Sequence, residues 1–245
     1  SNGYHVIDCC CTVDSSEKIC VELRLRNIEN NNNLNTLQKQ MSVVSGRTLD
    51  FPVTEEFEDY VKLIFREKPC YRIVSSVVQF NASGEKYSGD TCTAFQDDKG
   101  KFFSVICDGM GTGVKAAVSS SLAVTLLEKL IKAGFSVESS VKTVNTSLIS
   151  KSGDECSVTF DLVCVDLYSG RVEFYKCGAH DTFVKKRGKI SQINFETLPL
   201  GIINDIEIGY GSGTVGYGDV IIMCSDGVRE EDFWQLRNAI KVFDN

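Results

Sequence analysis

Basic residues are in short supply in this 245-residue sequence: 26 Lys and Arg stand against 33 Asp and Glu, leaving a net charge of −7. A chain of that sign has no electrostatic footprint for a phosphodiester backbone, which removes nucleic acid from its expected partners. Long apolar runs are missing too. None approaches the ~20 residues of a membrane-spanning helix, and no signal peptide opens the chain. Histidine is nearly absent, and neither His5 nor His180 lies beside a Ser or Cys in a nucleophile-elbow pattern, so a nucleophilic triad has little to be built from. The 11 cysteines include no CxxC pair within their one cluster. That cluster, Cys9-Cys10-Cys11 with Cys20 and His5, is read as buried thiols on alternating strand positions rather than as a zinc site. The remaining cysteines sit mostly in apolar runs and read as small core hydrophobes, reduced in a cytoplasmic compartment.

What is present suits a folded protein: 42% of residues are apolar, enough for one large domain or a domain with an N-terminal appendage. Alternation predicts a hairpin of strands over Tyr4 to Val13 and Lys18 to Ile28, then a short helix begun by Leu34, Leu37 and Met41. Strands are expected at Tyr60 to Phe65 and Tyr71 to Phe80, flanking the Lys68-Pro69 breaker. Residues 1–69 form the predicted extension and 70–245 the main domain. Within the latter, strands are expected at Lys101 to Cys107, Ser157 to Leu167, Arg171 to Cys177, Thr182 to Lys186, Lys189 to Ile193 and Val220 to Cys224. Two helices interrupt them. The first carries Val114, Ala117, Val118, Ser121, Leu122, Leu126 and Leu130 on its apolar face and stops at Gly134. The second is capped by Ser136, with Val137, Val141, Val144 and Leu148 at helical spacing. Adjacent helices among antiparallel hairpins predict a layered α+β fold rather than a parallel βαβ sheet.

Three times an Asp stands beside a Gly near a predicted strand: Gly89-Asp90, Asp108-Gly109 and Asp226-Gly227. One such pair is most often a turn. Three carboxylates gathered at strand ends repel one another unless cations neutralise them, and hard ions such as Mg²⁺ or Mn²⁺ take oxygen ligands of this kind. The flanking glycine lets the backbone approach closely enough for a carbonyl to join them. Two such ions can activate water and clamp a phosphoryl group, which is phosphomonoester hydrolysis without a covalent enzyme intermediate. Lys115 reads as a solvated first-turn lysine, Lys185-Lys186-Arg187 as a solubilising hairpin tip, and His180 as a structural hydrogen-bonding residue.

Gly89-Asp90-Thr91, Cys107-Asp108-Gly109-Met110-Gly111-Thr112-Gly113 and Cys224-Ser225-Asp226-Gly227-Val228 together resemble the ordered motifs of PPM-type (protein phosphatase 2C) phosphatases, in their sporulation branch. Cys177-Gly-Ala-His180 and Leu198-Pro-Leu-Gly-Ile202 extend the likeness over about Tyr71 to Val228. The resemblance implies an α-β-β-α sandwich of two mainly antiparallel sheets, with two Mn²⁺ or Mg²⁺ ions bridged by Asp108. Gly109 would offer its carbonyl, Asp226 would ligate one ion, and Asp90 would hold water at the metal. It also implies a phosphorylated anti-anti-sigma protein as substrate, a regulatory or homodimer-supporting role for the N-terminal extension, and a longer parent protein with membrane segments upstream. The family's last metal-binding Asp follows some tens of residues after the position of Asp226. Asp244 lies too near Asp226 to be it, so the expectation is either that a strand carrying that Asp follows beyond this chain or that the metal site is incomplete as it stands. Two other readings stay open. Gly111, Gly113 and Ala116, with Glu138 about twenty residues on, fit the GxGxxA fingerprint of a dinucleotide-binding module, and a phosphatase-like domain without activity fits the missing Asp.

Overall fold

The computed structural model of the chain describes residues 5–14, 17–26, 34–79, 87–111, 113–150, 157–228 and 230–242. It divides into two compact units, Ser1–Pro69 and Cys70–Asn245. In the first, β1 (His5–Val13), β2 (Ile19–Arg26), β3 (Val53–Glu56) and β4 (Val61–Arg66) form an antiparallel sheet in the order β1-β2-β4-β3. Its buried side chains Val21, Leu23, Leu25, Leu63 and Phe65 pack with Leu34 of α1 (Leu34–Ser45). Edge strand β1 joins none of this core. All nine of its residues are exposed, so Cys9, Cys10 and Cys11 are free surface thiols and not the buried ones expected.

The second unit is built in four layers. Strands β5 (Asp90–Gln96), β6 (Lys101–Gly109), β7 (Val158–Asp166), β8 (Arg171–Cys177) and β11 (Gly209–Thr214) make an antiparallel sheet in the order β11-β8-β7-β6-β5. Helices α2 (Gly113–Lys132) and α3 (Val137–Ser150) cover one face, where Phe103, Val105 and Cys107 of β6 and Phe160 and Leu162 of β7 meet Val124, Leu127 and Val141. The other face presents Val163, Val165, Val172 and Phe174 to a second sheet, β10-β9-β12. Its strands are β9 (Thr182–Lys186), β10 (Lys189–Ile193) and β12 (Val220–Met223), again antiparallel. A 3-10 turn (Glu230–Asp232) leads into α4 (Phe233–Val242), and Phe233 and Ile240 pack with Phe183 and Cys224 as the fourth layer. This is the expected α-β-β-α sandwich.

Several local expectations are corrected. Residues 71–79 form no strand. Val74, Val77 and Val78 are exposed and no sheet face is offered to their alternation. Phe80 lies outside the described residues, as does Asp244. Strands β3, β5 and β11 carry sequences too polar or glycine-rich to announce themselves. Helix α2 buries Ala116, Ser119, Ser120, Ala123, Val124, Leu127 and Ile131, a face rotated from the expected one, while Val114 and Val118 are exposed. Small side chains let this helix come close to the sheet, and its end follows the sequence reading. Gly134 (φ 93°) donates to Ile131 O at 2.9 Å and Phe135 to Leu130 O at 3.1 Å, the paired bonds of a glycine C-cap. Lys185 is buried, so it does not belong to a solvated hairpin tip, whereas Lys186 at the tip is half-buried and its Nζ donates to Thr214 O at 2.8 Å. After α2 the chain enters α3 and the named strands pair only antiparallel, so Gly111, Gly113 and Ala116 do not open the βαβ unit that binds a dinucleotide.

Candidate metal centre

Strand alternation decides what faces the crevice between the sheets. On β6, Phe103, Val105, Cys107 and Gly109 point toward the helices, which leaves Asp108 on the opposite face. On β5, Thr91 and Thr93 reach α2 through Ser120 Oγ (2.8 Å) and Glu128 Oε2 (3.4 Å), and Asp90 accordingly faces the same way as Asp108. Asp90 and Asp108 stand directly opposite each other in the ladder. The third carboxylate arrives from the other sheet, two residues beyond Cys224, which follows β12.

The anchoring contacts are specific. Ser225 Oγ donates to Asp90 Oδ2 at 2.9 Å, linking the loop after β12 to the start of β5. The Asp90 amide donates to Ser88 Oγ at 3.2 Å, and Gln79 Nε2 donates to the Asp90 carbonyl at 2.9 Å. The Asp108 amide donates to Thr159 Oγ1 on β7 at 3.3 Å, and the Gly109 amide to Gly89 O at 3.2 Å. Ser225 and Thr159 escape a reading by sequence, since single hydroxyls carry no motif of their own.

Two observations concern what the site can hold. Burial raises the Asp108 carboxyl to about 7, with the charges of Asp90 and Asp226 adding to it and both carboxylates within hydrogen-bonding reach. Three carboxyl groups that resist losing their last proton until near neutral pH favour a cation among them. Oxygen donors also converge: a Cβ placed on Gly89 would lie 3.2 Å from both Asp108 Oδ1 and Gly109 O. Gly109 is obligatory for a different reason. A Cβ there would sit 2.1 Å from the carbonyl oxygen of Ala116, inside the backbone of α2. All-oxygen donors of this kind fit a hard divalent ion. Among the described residues no group of three His, Cys, Asp or Glu side chains is arranged as a cation site by side chains alone.

Gly111, Gly113 and Ala116 stand beside this centre as the turn into α2, and His180 contributes a carbonyl oxygen to Lys176 Nζ at 2.6 Å, a structural role. No helix among the described residues is long and apolar enough to cross a membrane.

Comparison with known proteins places this arrangement. Stage II sporulation protein E of Bacillus subtilis (strain 168) is 30% identical over 185 residues, 73% of this chain and 22% of that protein. The protein of the same name from Priestia megaterium is 31% identical over 173 residues, 71% of this chain and 30% of that protein. The chain thus spans less than a third of the length of these curated relatives. Among solved structures, the PP2C phosphatase domain with a fragment of the regulatory domain of SpoIIE from Bacillus subtilis matches with a TM-score of 0.73 at 24% identity, covering 99% of this chain and 74% of that one. RsbX in complex with magnesium matches with a TM-score of 0.57 at 20% identity, over 78% of this chain and 84% of that one. At these identities the two structures speak for the fold. The family model described as Stage II sporulation protein E (SpoIIE) matches residues 98–244, more than half of the chain and inclusive of Asp108 and Asp226. The chain belongs to the SpoIIE family of PPM-type (protein phosphatase 2C) phosphatases.

Proposed function

We propose that this chain carries out metal-dependent hydrolysis of phosphoserine or phosphothreonine on a protein, with Asp108, the Gly109 carbonyl and Asp226 holding the ions and Asp90 lying at their edge. The observation that carries this reading is the position of Asp108, pressed between two other carboxylates and beside a converging backbone carbonyl. A pair of Mn²⁺ or Mg²⁺ ions supplies, when bound, the Lewis acidity that makes water a nucleophile and neutralises phosphoryl oxygens. The chain's own residues do the positioning. Thr159 holds the backbone at Asp108, Ser225 fixes one oxygen of Asp90, and the absence of a side chain at Gly109 lets the end of β6 pack directly against the α2 backbone. Hydrolysis then needs no protein nucleophile, in keeping with a site whose chemistry-bearing side chains are carboxylates.

The substrate we assign is a small phosphorylated anti-anti-sigma protein acting in sporulation control, on the strength of the family. By the same reasoning residues 1–69 are an attachment that either regulates the catalytic core or supports a homodimer, and the parent protein holds this part at the cytoplasmic face of a membrane. The test is phosphate release from a phosphoserine protein by the full-length parent with Mn²⁺, compared with its Asp108→Ala variant. The variant is expected to lose at least about 100-fold in rate, as befits removal of a group that organises the catalytic ion. Equal rates in the two would remove Asp108 from the mechanism. Labelled nicotinamide cofactor bound with no response to Mn²⁺ would replace the reading altogether.

A further inference from the structure

The crevice between the sheets contains a second polar group that the metal centre does not use. Asp161 on β7 and Lys176 on β8 stand directly opposite each other, and Lys176 Nζ lies 2.6 Å from Asp161 Oδ2 with both side chains essentially out of solvent. The same Oδ2 accepts a hydrogen bond from Thr182 Oγ1 at 2.6 Å. Thr182 is the first residue of β9, in the other sheet. Asp161 Oδ1 is buried without a hydrogen-bond partner, so compensation for burying this carboxylate rests on Oδ2 alone. An ion pair within one sheet would already serve packing. The Thr182 bond is different, because it spans the two sheets.

Its location is what gives it a use. Two residue pairs along the ladder from Ile106 and Asp161, on the same face of the sheet, stand Asp108 and Thr159, whose hydroxyl accepts from the Asp108 amide. On the opposite sheet Thr182 pairs with Met223, the last residue of β12, and Cys224, Ser225 and Asp226 follow at once. The carboxylates of the candidate centre therefore belong to different sheets: Asp90 and Asp108 to one, Asp226 to the other. A bond between the sheets two residues below them limits how far apart they sit.

We infer that Thr182 is a positioning residue, and that its bond to the Asp161–Lys176 pair fixes the separation of the two sheets so that Asp226 meets Asp108 at cation-binding distance. This rests on the metal-centre reading proposed above. Valine at 182 keeps the shape of threonine and deletes only the hydroxyl, leaving the ion pair within the five-stranded sheet intact. Serine keeps the hydroxyl.

The experiment compares the full chain with its Thr182→Val and Thr182→Ser variants by Mn²⁺ titration calorimetry and by amide hydrogen exchange in metal-free buffer. In Thr182→Val, Mn²⁺ affinity is expected to fall at least tenfold and exchange to quicken at residues 224–228, while Thr182→Ser restores both. A Thr182→Val protein that changes only in melting temperature, with Mn²⁺ affinity within twofold of the parent, overturns the inference. So does a tenfold loss in affinity that serine does not restore. A parent chain that takes up no Mn²⁺ defeats the metal-centre reading itself and the inference with it, whereas normal uptake untouched by the variant defeats the inference alone. Should Thr182→Val not fold, Lys176→Arg keeps the charge and the reach to Asp161 and is expected to retain Mn²⁺ affinity within threefold if geometry is what matters. Loss of affinity in a folded Lys176→Arg protein whose residues 224–228 exchange normally counts against the proposal.

Discussion

Gly109 and Asp108 are neighbours that answer to different physics. Gly109 has no unusual backbone angle to defend; its side chain is excluded by the α2 backbone, with the Ala116 carbonyl oxygen 2.1 Å from where a Cβ would go. Backbone cannot swing aside as a side-chain tip can, so Gly109→Ala is expected to cost about 1–3 kcal/mol in urea unfolding, the range for overpacking, and to weaken Mn²⁺ binding by moving α2. Asp108 is held by charge instead. Its carboxyl rises from an unfolded value near 3.8 to about 7 through burial first and the charges of Asp90 and Asp226 after that. The group's contribution is full below pH 4, and it is lost as pH climbs toward 7, because the unfolded chain ionises there while the folded chain keeps its proton. Asp108→Asn should therefore raise the melting temperature of the metal-free protein at pH 7.5, by roughly 2–4 °C for each kcal/mol recovered, and flatten its dependence between pH 4 and 7. A cation displaces that proton. Mn²⁺ affinity should fall as pH drops below about 7, and calorimetry in buffers of different ionisation enthalpy should detect proton release on binding. Asp108→Asn with an unchanged or lowered melting temperature would contradict the electrostatic account.

At the scale of elements, the hairpins and both long helices were legible because their signals are local. Ser136 caps α3 by accepting from the Ser139 amide at 3.1 Å, and Val137, Val141, Val144 and Leu148 are all buried at the spacing their sequence shows. The face of α2 was not legible. Its sequence offers apolar side chains almost all round, and the stripe of larger residues through Val114 and Val118 looks the better core; the sheet instead takes the stripe with Ala116, Ser120 and Ala123 because Gly109 and Thr91 bring strand and helix close. That choice depends on contacts distant in sequence, which periodicity does not contain. It has a measurable outcome: Leu127→Ala should destabilise the protein by about 2–5 kcal/mol, whereas Val118→Ala should stay within about 0.5 kcal/mol of the parent. A reversal of that order in chemical unfolding would restore the face expected from sequence. The metal centre divides in the same way. Asp108 and Asp226 are visible through their glycines, while Ser225, Thr159 and Thr182 become functional only through the partners the fold assigns them.

Over the whole molecule the cysteines record where solvent stops. Cys9, Cys10 and Cys11 in the first unit and Cys70 in the second are exposed, whereas Cys107, Cys164, Cys177 and Cys224 are buried in the second unit. Burial pushes the thiols of Cys164 and Cys177 up to about 12 and that of Cys224 to about 11, and raises Cys107 further, so these four are both shielded and held as unreactive thiols. A thiol reagent at pH 8 should modify the exposed set at once and the buried set only when the second unit opens, with peptide mass spectrometry telling them apart. Because Cys107 precedes Asp108 and Cys224 lies two residues before Asp226, the buried set also reports on the metal centre. An ion that binds only the folded form lowers the open population by mass action, so Mn²⁺ at 100 times its dissociation constant should slow labelling of those four by about 100-fold while opening remains in rapid equilibrium. The exposed thiols should be indifferent to it. In Asp108→Ala the slowing should vanish with the fold intact, separating loss of the ion from loss of structure; Mn²⁺ protection that persists in that variant would place the bound ion somewhere other than between the two sheets.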